Sequence, residues 1–311
     1  MKINDQDITF VVQGPVQASK DRSQIDGVTS QCLKSIRTHF PTSTIILSTW
    51  KGQNIDGLDF DQVLLLEDPG QNIIMNDGDV IKLNNNRQLY GVHMGLAMVT
   101  TPYAVKIRSD NLITGRGFLE LYQKYVNVQR DCDFCYLENR VITSSAFFIS
   151  SHYGKPVFFH KSDLFDFGQT SDLLKIWPQK LLGQLKFNLK SGYKERYPAT
   201  EQYFVLHWLS KLLNKELKIN NKANDDAGLG KSFWSRFLVN NFIVATPDLL
   251  SLDVTTRFYN RGNKSLEIDL ADWLSLAGLA KKPTDFKRVY RSYRNWSGYL
   301  IRLLINNVKF N

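Results

Sequence analysis

Cysteine is scarce. Cys32, Cys132 and Cys135 are the three in 311 residues, an odd number and too few to staple a chain this long, which excludes a disulfide scaffold and agrees with a reducing compartment. No apolar run approaches the roughly 18 to 20 residues that a membrane-spanning helix requires. Met1-Lys2-Ile3-Asn4-Asp5 passes straight into a strand-like run instead of a secretory apolar segment, so a cytosolic protein is expected. With 9 Pro and 19 Gly the chain is neither collagen-like nor of low complexity. Catalytic signatures are missing too. No Gly-x-Gly-x-x-Gly follows a strand, which disfavours a dinucleotide site; Gly-x-Ser-x-Gly is absent, which disfavours an α/β-hydrolase. The histidines show no His-x-x-x-His spacing, against a zinc hydrolase. Cys132-x-x-Cys135 has no second ligand pair and falls in a run that reads as extended, so it is taken as two thiols without a metal. Gly230-Lys231-Ser232 echoes the end of a phosphate loop, but Asp225 stands where its first Gly should be and a polar linker precedes it.

Hydrophobic residues make up 43% and charged residues 22%, as in an ordinary globular protein able to bury a sizeable core. The net charge of +9 is unevenly placed. From Lys281 onward Lys281, Lys282, Lys287, Arg288, Arg291, Arg294, Arg302 and Lys309 stand against Asp285 alone, so the body is nearly balanced and the tail is basic. In that tail Phe286, Tyr290, Tyr293, Leu300 and Leu304 recur at helical spacing, with Trp296 and Tyr299 beside them. Such a helix either lies on an anionic membrane surface or packs its stripe on the core and solvates its charges. No nucleic-acid motif accompanies the patch, and no nucleic-acid partner is expected.

Ile8–Val12, Thr44–Ser48, Gln62–Leu66 and Tyr103–Ile107 read as strands, and Val28–Thr38, Leu83–Val99 and Phe118–Val126 as helices, the opening of an α/β fold with a mainly parallel sheet. Phe134–Leu137, Val141–Ile149 and Val157–His160 look extended. Leu173–Leu189, broken near Pro178, Glu201–Leu213, Phe233–Phe242 and Ile268–Leu279 look helical, with Asn220–Gly230 as a linker.

Ligands of open α/β sheets bind beyond the carboxyl ends of the strands. Gln13-Gly14-Pro15, Ser48-Thr49-Trp50, Glu67-Asp68 and Arg108-Ser109-Asp110-Asn111 stand there. Asp110 offers a hard carboxylate oxygen of the kind that holds Mg²⁺ or Mn²⁺ against a diphosphate, and is equally the residue that forms turns and helix caps. Glu67 and Asp68 could accept hydrogen bonds from a base or ribose, or simply form the turn before Pro69-Gly70. The planar guanidinium of Arg87 matches phosphate oxygens. Lys106 and Arg108 share a strand face, one able to neutralise a diphosphate and the other to cap the sheet edge. Asp163 and Asp166 flank Leu164-Phe165, where desolvation would raise a carboxyl pKa.

Val11-Val12-Gln13-Gly14-Pro15, Ile46-Leu47-Ser48-Thr49-Trp50-Lys51-Gly52, Asn85-Asn86-Arg87-Gln88 and Lys106-Ile107-Arg108-Ser109-Asp110-Asn111 together resemble the WavE family of bacterial lipopolysaccharide-synthesis proteins. The likeness continues through His160-Lys161-Ser162-Asp163, Phe167-Gly168, Asp172-Leu173, Trp177 and Glu201-Gln202-Tyr203, about two thirds of the chain. It implies a glycosyltransferase of GT-A type: residues 1–115 hold the nucleotide sugar, 116–219 the acceptor, and 220–311 form a helical region ending in the basic tail. Arg108-Ser109-Asp110 stands where such enzymes carry an Asp-x-Asp metal motif, with Arg108 in place of the first acid. Gln13, Gly14, Pro15, Thr49, Glu67, Asp68, Arg87, Lys106, Arg108 and Ser109 would then bind the donor, and Asp110 a divalent ion. Glu201 opens a helix much as an acidic residue begins the catalytic helix of many inverting GT-A enzymes, there to act as base or to stabilise positive charge, with Asp163 and Asp166 as further candidates; Thr200-Glu201 also reads as plain helix capping. The expected function is transfer of a sugar from a nucleotide sugar to a lipid-linked or lipopolysaccharide glycan at the inner face of the bacterial cytoplasmic membrane. A nucleotide-sugar hydrolase or nucleotidyltransferase, and a non-catalytic glycan-assembly protein, are the alternatives.

Overall fold

The fold is taken from a computed structural model that describes residues 2–187, 197–255, 265–284 and 286–308. The apolar run Ile8–Gln13 (β1) is buried at every position, as a strand covered on both faces must be. Beside it lie Thr44–Trp50 (β2), Gln62–Leu66 (β3), Tyr103–Arg108 (β4), Val141–Ser144 (β5), Phe165–Gln169 (β6) and Phe242–Ala245 (β7), in the order β7-β5-β6-β4-β1-β2-β3. β6 is antiparallel to both β4 and β5, while the remaining pairs are parallel, so the other six strands share one direction. This is the GT-A-like α/β arrangement.

Helices Val28–His39 (α1), Asn85–Ala97 (α2), Gly117–Tyr125 (α3), Thr170–Ile176 (α4) and Thr200–Leu212 (α5) follow in chain order. Alternation along β1 sends Phe10 to one face and Val11 to the other. Phe10 meets Phe40, just after α1, at a ring separation of 5.0 Å, and Phe118 of α3 joins Phe40 to Phe165 and Phe167 of β6. On the opposite face α2 crosses β1 and β2. The crossing is close enough that a Cβ on Gly95 would lie 2.4 Å from Val11 Cγ1, which explains a glycine inside a helix.

Phe233–Asn241 (α6) leads directly into β7, then come Pro247–Leu250 (α7), Leu270–Leu276 (α8) and Phe286–Val308 (α9). Because β7 pairs with β5 and Trp273 of α8 is fully buried in the same core, the expected division at 219/220 falls inside one continuous core. The Asn220–Gly230 stretch is a turn-rich loop fastened to the body: Asp225 accepts the Asn220 N–H at 2.7 Å, and Asn224 N–H donates to the Pro156 carbonyl.

Several local expectations need correction. Phe134–Leu137 is not extended: Cys132–Phe134 is a 3-10 turn capped by Asp131, and the Tyr136 and Leu137 N–H groups donate to Asn241 Oδ1 instead of to a strand. Val141–Ile149 divides into β5 and a separate strand, Ile149–His152, across Phe147, whose φ of 68° breaks the run. Val157–His160 is irregular, with Phe159 at φ 59°. The helix read from Leu173 ends at Ile176, since the residue before Pro178 is held out of the helical region, and Leu185–Phe187 instead pairs with Asn72–Asn76; Leu189 lies outside the described residues.

The basic tail forms α9 with its apolar stripe turned outward. Phe286, Tyr293 and Leu304 are 83%, 61% and 66% exposed, whereas Asn295 is 1% exposed and accepts hydrogen bonds from Gly154 N–H and Ser151 Oγ. A polar residue docks the helix while Phe286, Tyr290 and Tyr293 face away, contrary to the packed-stripe alternative. Asp285 and Lys309 and the side chains of Lys287, Tyr299 and Arg302 lie outside the described residues. Among the described residues no helix is long and apolar enough to cross a membrane.

Candidate active site

A cavity of about 360 Å³ opens at the carboxyl ends of β1, β2 and β4. The chain makes it by tying the β1 and β4 ends together: Ser109 N–H donates to the Gln13 carbonyl at 3.0 Å and Ser109 Oγ to the Pro15 carbonyl at 2.9 Å. Gly14 sits at φ 148°, and a Cβ there would come 2.3 Å from Ser109 Oγ, so only glycine lets the two loops meet.

Of the expected site residues, Gln13, Gly14, Pro15, Arg87, Arg108, Ser109, Asp110, Asp163 and Glu201 line this one cavity. Asp68 stands behind Arg87, its Oδ1 accepting from Arg87 Nε at 2.8 Å and its Oδ2 from Nη2 at 2.5 Å; Asp21 accepts from Nη2 at 2.8 Å. The Arg87 guanidinium holds both carboxyls below their ordinary range, and Asp68 thus acts as a brace for Arg87.

Besides Asp68, four expected residues do not line the cavity. Thr49 is buried on the other face of β2, and Trp50, next along, takes its place. Glu67 is exposed and paired with Lys51. Asp166 is fully buried, its two oxygens accepting from Lys161 Nζ at 2.6 and 2.8 Å and Oδ2 also from Trp177 Nε1, which makes it a structural ion pair. Lys106 lies beneath Arg108, Nζ donating to the Asp163 carbonyl and sitting 4.7 Å from the Trp177 ring centre; burial pushes its pKa down to about 7 against the pull of Asp163 and Asp166. Gln88 Nε2 donates to the same carbonyl at 3.0 Å, so the backbone of Asp163 is held from two sides.

Two carboxylates present themselves differently. Asp163 makes no side-chain hydrogen bond or ion pair to the described residues, and its charge acts on Arg108. Glu201, in the first turn of α5, lies 3.9 Å from Nε2 of buried His160. Helix capping is done by its neighbour, since Gln202 Oε1 accepts the Ala199 N–H at 2.9 Å. Glu201 lines the cavity.

Arg22 is a lining residue that sequence reasoning did not find, and Trp50 was named there only as part of a strand-end run, with no role of its own. Arg22 stacks over Trp50 at 5.6 Å, and its buried Nη1 lies 3.7 Å from Asp68 without making a hydrogen bond. A buried guanidinium nitrogen facing a cavity with a donor to spare is an anion-binding feature. Its position in an irregular loop after β1 carries no motif, so only the folded chain reveals it.

The divalent ion expected at Asp110 does not suit the donor set. Arg108 Nε and Nη2 donate to the two Asp110 oxygens, each at 2.8 Å, so both carboxylate oxygens already carry a cation. Among the described residues no group of three His, Cys, Asp or Glu side chains could hold a metal. The cavity instead offers fixed guanidinium charge.

A family model described as WavE lipopolysaccharide synthesis matches residues 8–305, from the first residue of β1 into α9. No curated protein matches the chain. With every strand of the central sheet and the whole lining of the cavity inside that match, the chain belongs to the WavE lipopolysaccharide synthesis family.

Proposed function

We propose that this protein, in its lipopolysaccharide-synthesis role, is a glycosyltransferase that moves a sugar from a nucleoside-diphosphate sugar to a lipid-linked glycan. The observation that carries the reading is one polar cavity at the carboxyl ends of parallel strands in which Arg22, Arg87 and Arg108 meet Glu201 and Asp163. Arg22 and Arg108 bind the diphosphate oxygens, with Arg87 fixing the cavity wall through Asp68. Trp50 supplies an apolar surface for the base. Glu201, steadied by His160, takes the proton of the acceptor hydroxyl as its oxygen bonds to the anomeric carbon. The bond from that carbon to the β-phosphate oxygen breaks, and the guanidinium groups neutralise the leaving diphosphate. Asp163 stabilises the positive charge that develops on the sugar.

The test is incubation of the purified chain with a panel of nucleotide sugars, with and without a lipopolysaccharide acceptor. Transfer supports the reading, whereas donor breakdown alone makes the protein a hydrolase and binding alone a non-catalytic component. Glu201→Gln should lower kcat at least about a hundredfold with donor affinity retained. A fall in melting temperature without that kcat defect would return Glu201 to a structural role.

A further inference from the structure

We propose a second ligand site, distinct from the sugar-nucleotide cavity: a pocket for the apolar chain of an anionic, phosphate-bearing amphiphile. A cavity of about 330 Å³ lies between α6, α8 and α9 and the strands around Ile149 and Leu266, within the size range of ligand pockets. Its walls are the buried side chains of Phe158, Trp234, Leu238 and Ile268. The carboxylates that border it are already committed: Asp269 pairs with Arg288, Asp272 with Lys282 at 2.7 Å, and Glu267 Oε1 accepts the Phe147 N–H at 2.8 Å. Lys231 and Arg291, both exposed, line it without any ion pair among the described residues. Apolar walls with uncommitted positive charge are complementary to an alkyl or isoprenyl chain ending in a phosphate.

Its place in the fold fits that occupant. Arg288 and Arg291 belong to α9, whose outward apolar stripe is the part of the molecule suited to a bilayer. Phe158 of this pocket is five residues from Asp163 of the other cavity, a stretch that can span at most about 18 Å. The two cavities are therefore neighbours in the fold. The proposal rests on the glycosyltransferase reading for its purpose, and not for its measurement.

Calorimetric titration of the full chain with dodecyl phosphate, below its micelle concentration, should show saturable one-to-one binding. Inorganic phosphate should give none, and dodecyl maltoside should bind at least tenfold more weakly. Ser235→Trp, which fills the pocket from its α6 wall while leaving the α9 stripe intact, should weaken dodecyl phosphate at least tenfold. The exposed pair Lys231→Glu with Arg291→Glu should do the same without disturbing the core, and serves if Ser235→Trp does not fold. Unchanged affinity in the folded variants would locate binding on the α9 stripe and overturn the proposal, as would phosphate binding alone or no binding. Uridine diphosphate titrated separately distinguishes the two readings. Its binding without the amphiphile removes only this pocket, and the amphiphile's binding without any nucleoside diphosphate removes the glycosyltransferase assignment.

Discussion

At the scale of single residues, the Arg108–Asp110 pair sets what the proposed diphosphate site would offer its ligand. A carboxylate whose two oxygens each accept a guanidinium hydrogen bond at 2.8 Å gives up those bonds if it takes a metal, and charge-assisted bonds of this kind are worth about 1.5–3 kcal/mol. Arginine already supplies the positive charge. Nucleoside diphosphate binding, followed by calorimetry, should therefore persist in EDTA, and Arg108→Ala should weaken it about tenfold or more. A tenfold gain on adding Mn²⁺ would show that the ion outcompetes Arg108. Beneath that pair, Lys106 has a pKa pushed down to about 7 by burial, against roughly 10.4 in an unfolded chain. Between those values the unfolded state binds a proton that the folded state does not, so this group makes stability rise with pH across the window, and below about 7 the contribution is flat. Urea unfolding of the wild type and Lys106→Met at pH 6, 7.5 and 9 should give a difference that moves in favour of the wild type as pH rises; a constant difference would refute it. Most strand-end residues that line the cavity were legible because the sheet rule points to the carboxyl ends of the strands. Thr49 and Asp166 were misplaced because sequence neighbours on a strand face opposite ways, and because a carboxylate among apolar residues looks the same whether it serves catalysis or a buried lysine.

At the scale of elements, close approach explains what periodicity left unexplained. α2 keeps Gly91 and Gly95 on the face against β1, where a Cβ would meet Gln13 Cγ at 2.9 Å and Val11 Cγ1 at 2.4 Å. Gly95→Val should accordingly cost about 1–3 kcal/mol through overpacking, read as a lowered urea midpoint, while Gly52→Ala, with nothing within 4 Å of its Cβ, should cost only what its φ of 81° imposes. Equal losses would mean that α2 can move away from the sheet. β1 to β4 and the first three helices could be read from apolar runs stopped by Gly, Pro and Asp. β7 could not: Phe242–Ala245 continues an apolar helical pattern from α6, and only its pairing with β5 makes it a strand. The hairpin Asn72–Asn76 with Asp79–Leu83 turns at Asp77-Gly78, both at positive φ, a dipeptide that signals such turns. Its flanking runs were too short and mixed to be read without that signal.

At the scale of the whole molecule, charge and apolar exposure lie together on α9. Exposed Phe286, Val289, Tyr293, Trp296, Ile301 and Leu304 make an outward stripe on one helix, an arrangement that monomeric proteins seldom leave facing water. Arg291 and Arg294 accompany it, whereas Arg288 is held by Asp269 and Asp272. Each basic residue near an anionic surface adds on the order of 1 kcal/mol of attraction, and insertion of the stripe adds to that without dependence on salt. On the proposed glycosyltransferase reading a lipid-linked acceptor is confined to the bilayer, and a helix that held the protein there would raise the local acceptor concentration without any new contact at the candidate cavity. Co-sedimentation with phosphatidylglycerol-containing vesicles should be strong for the full chain and weak for a chain ending at Leu279. Raising salt should reduce binding of the full chain only in part, because charges are screened over about 8–10 Å while apolar insertion is not. Phe286→Glu with Tyr293→Glu and Leu304→Glu alters positions that are 83%, 61% and 66% exposed, so the fold should survive and the salt-resistant fraction should vanish. Equal sedimentation of the triple variant and the wild type would mean that the stripe faces another protein surface instead of lipid.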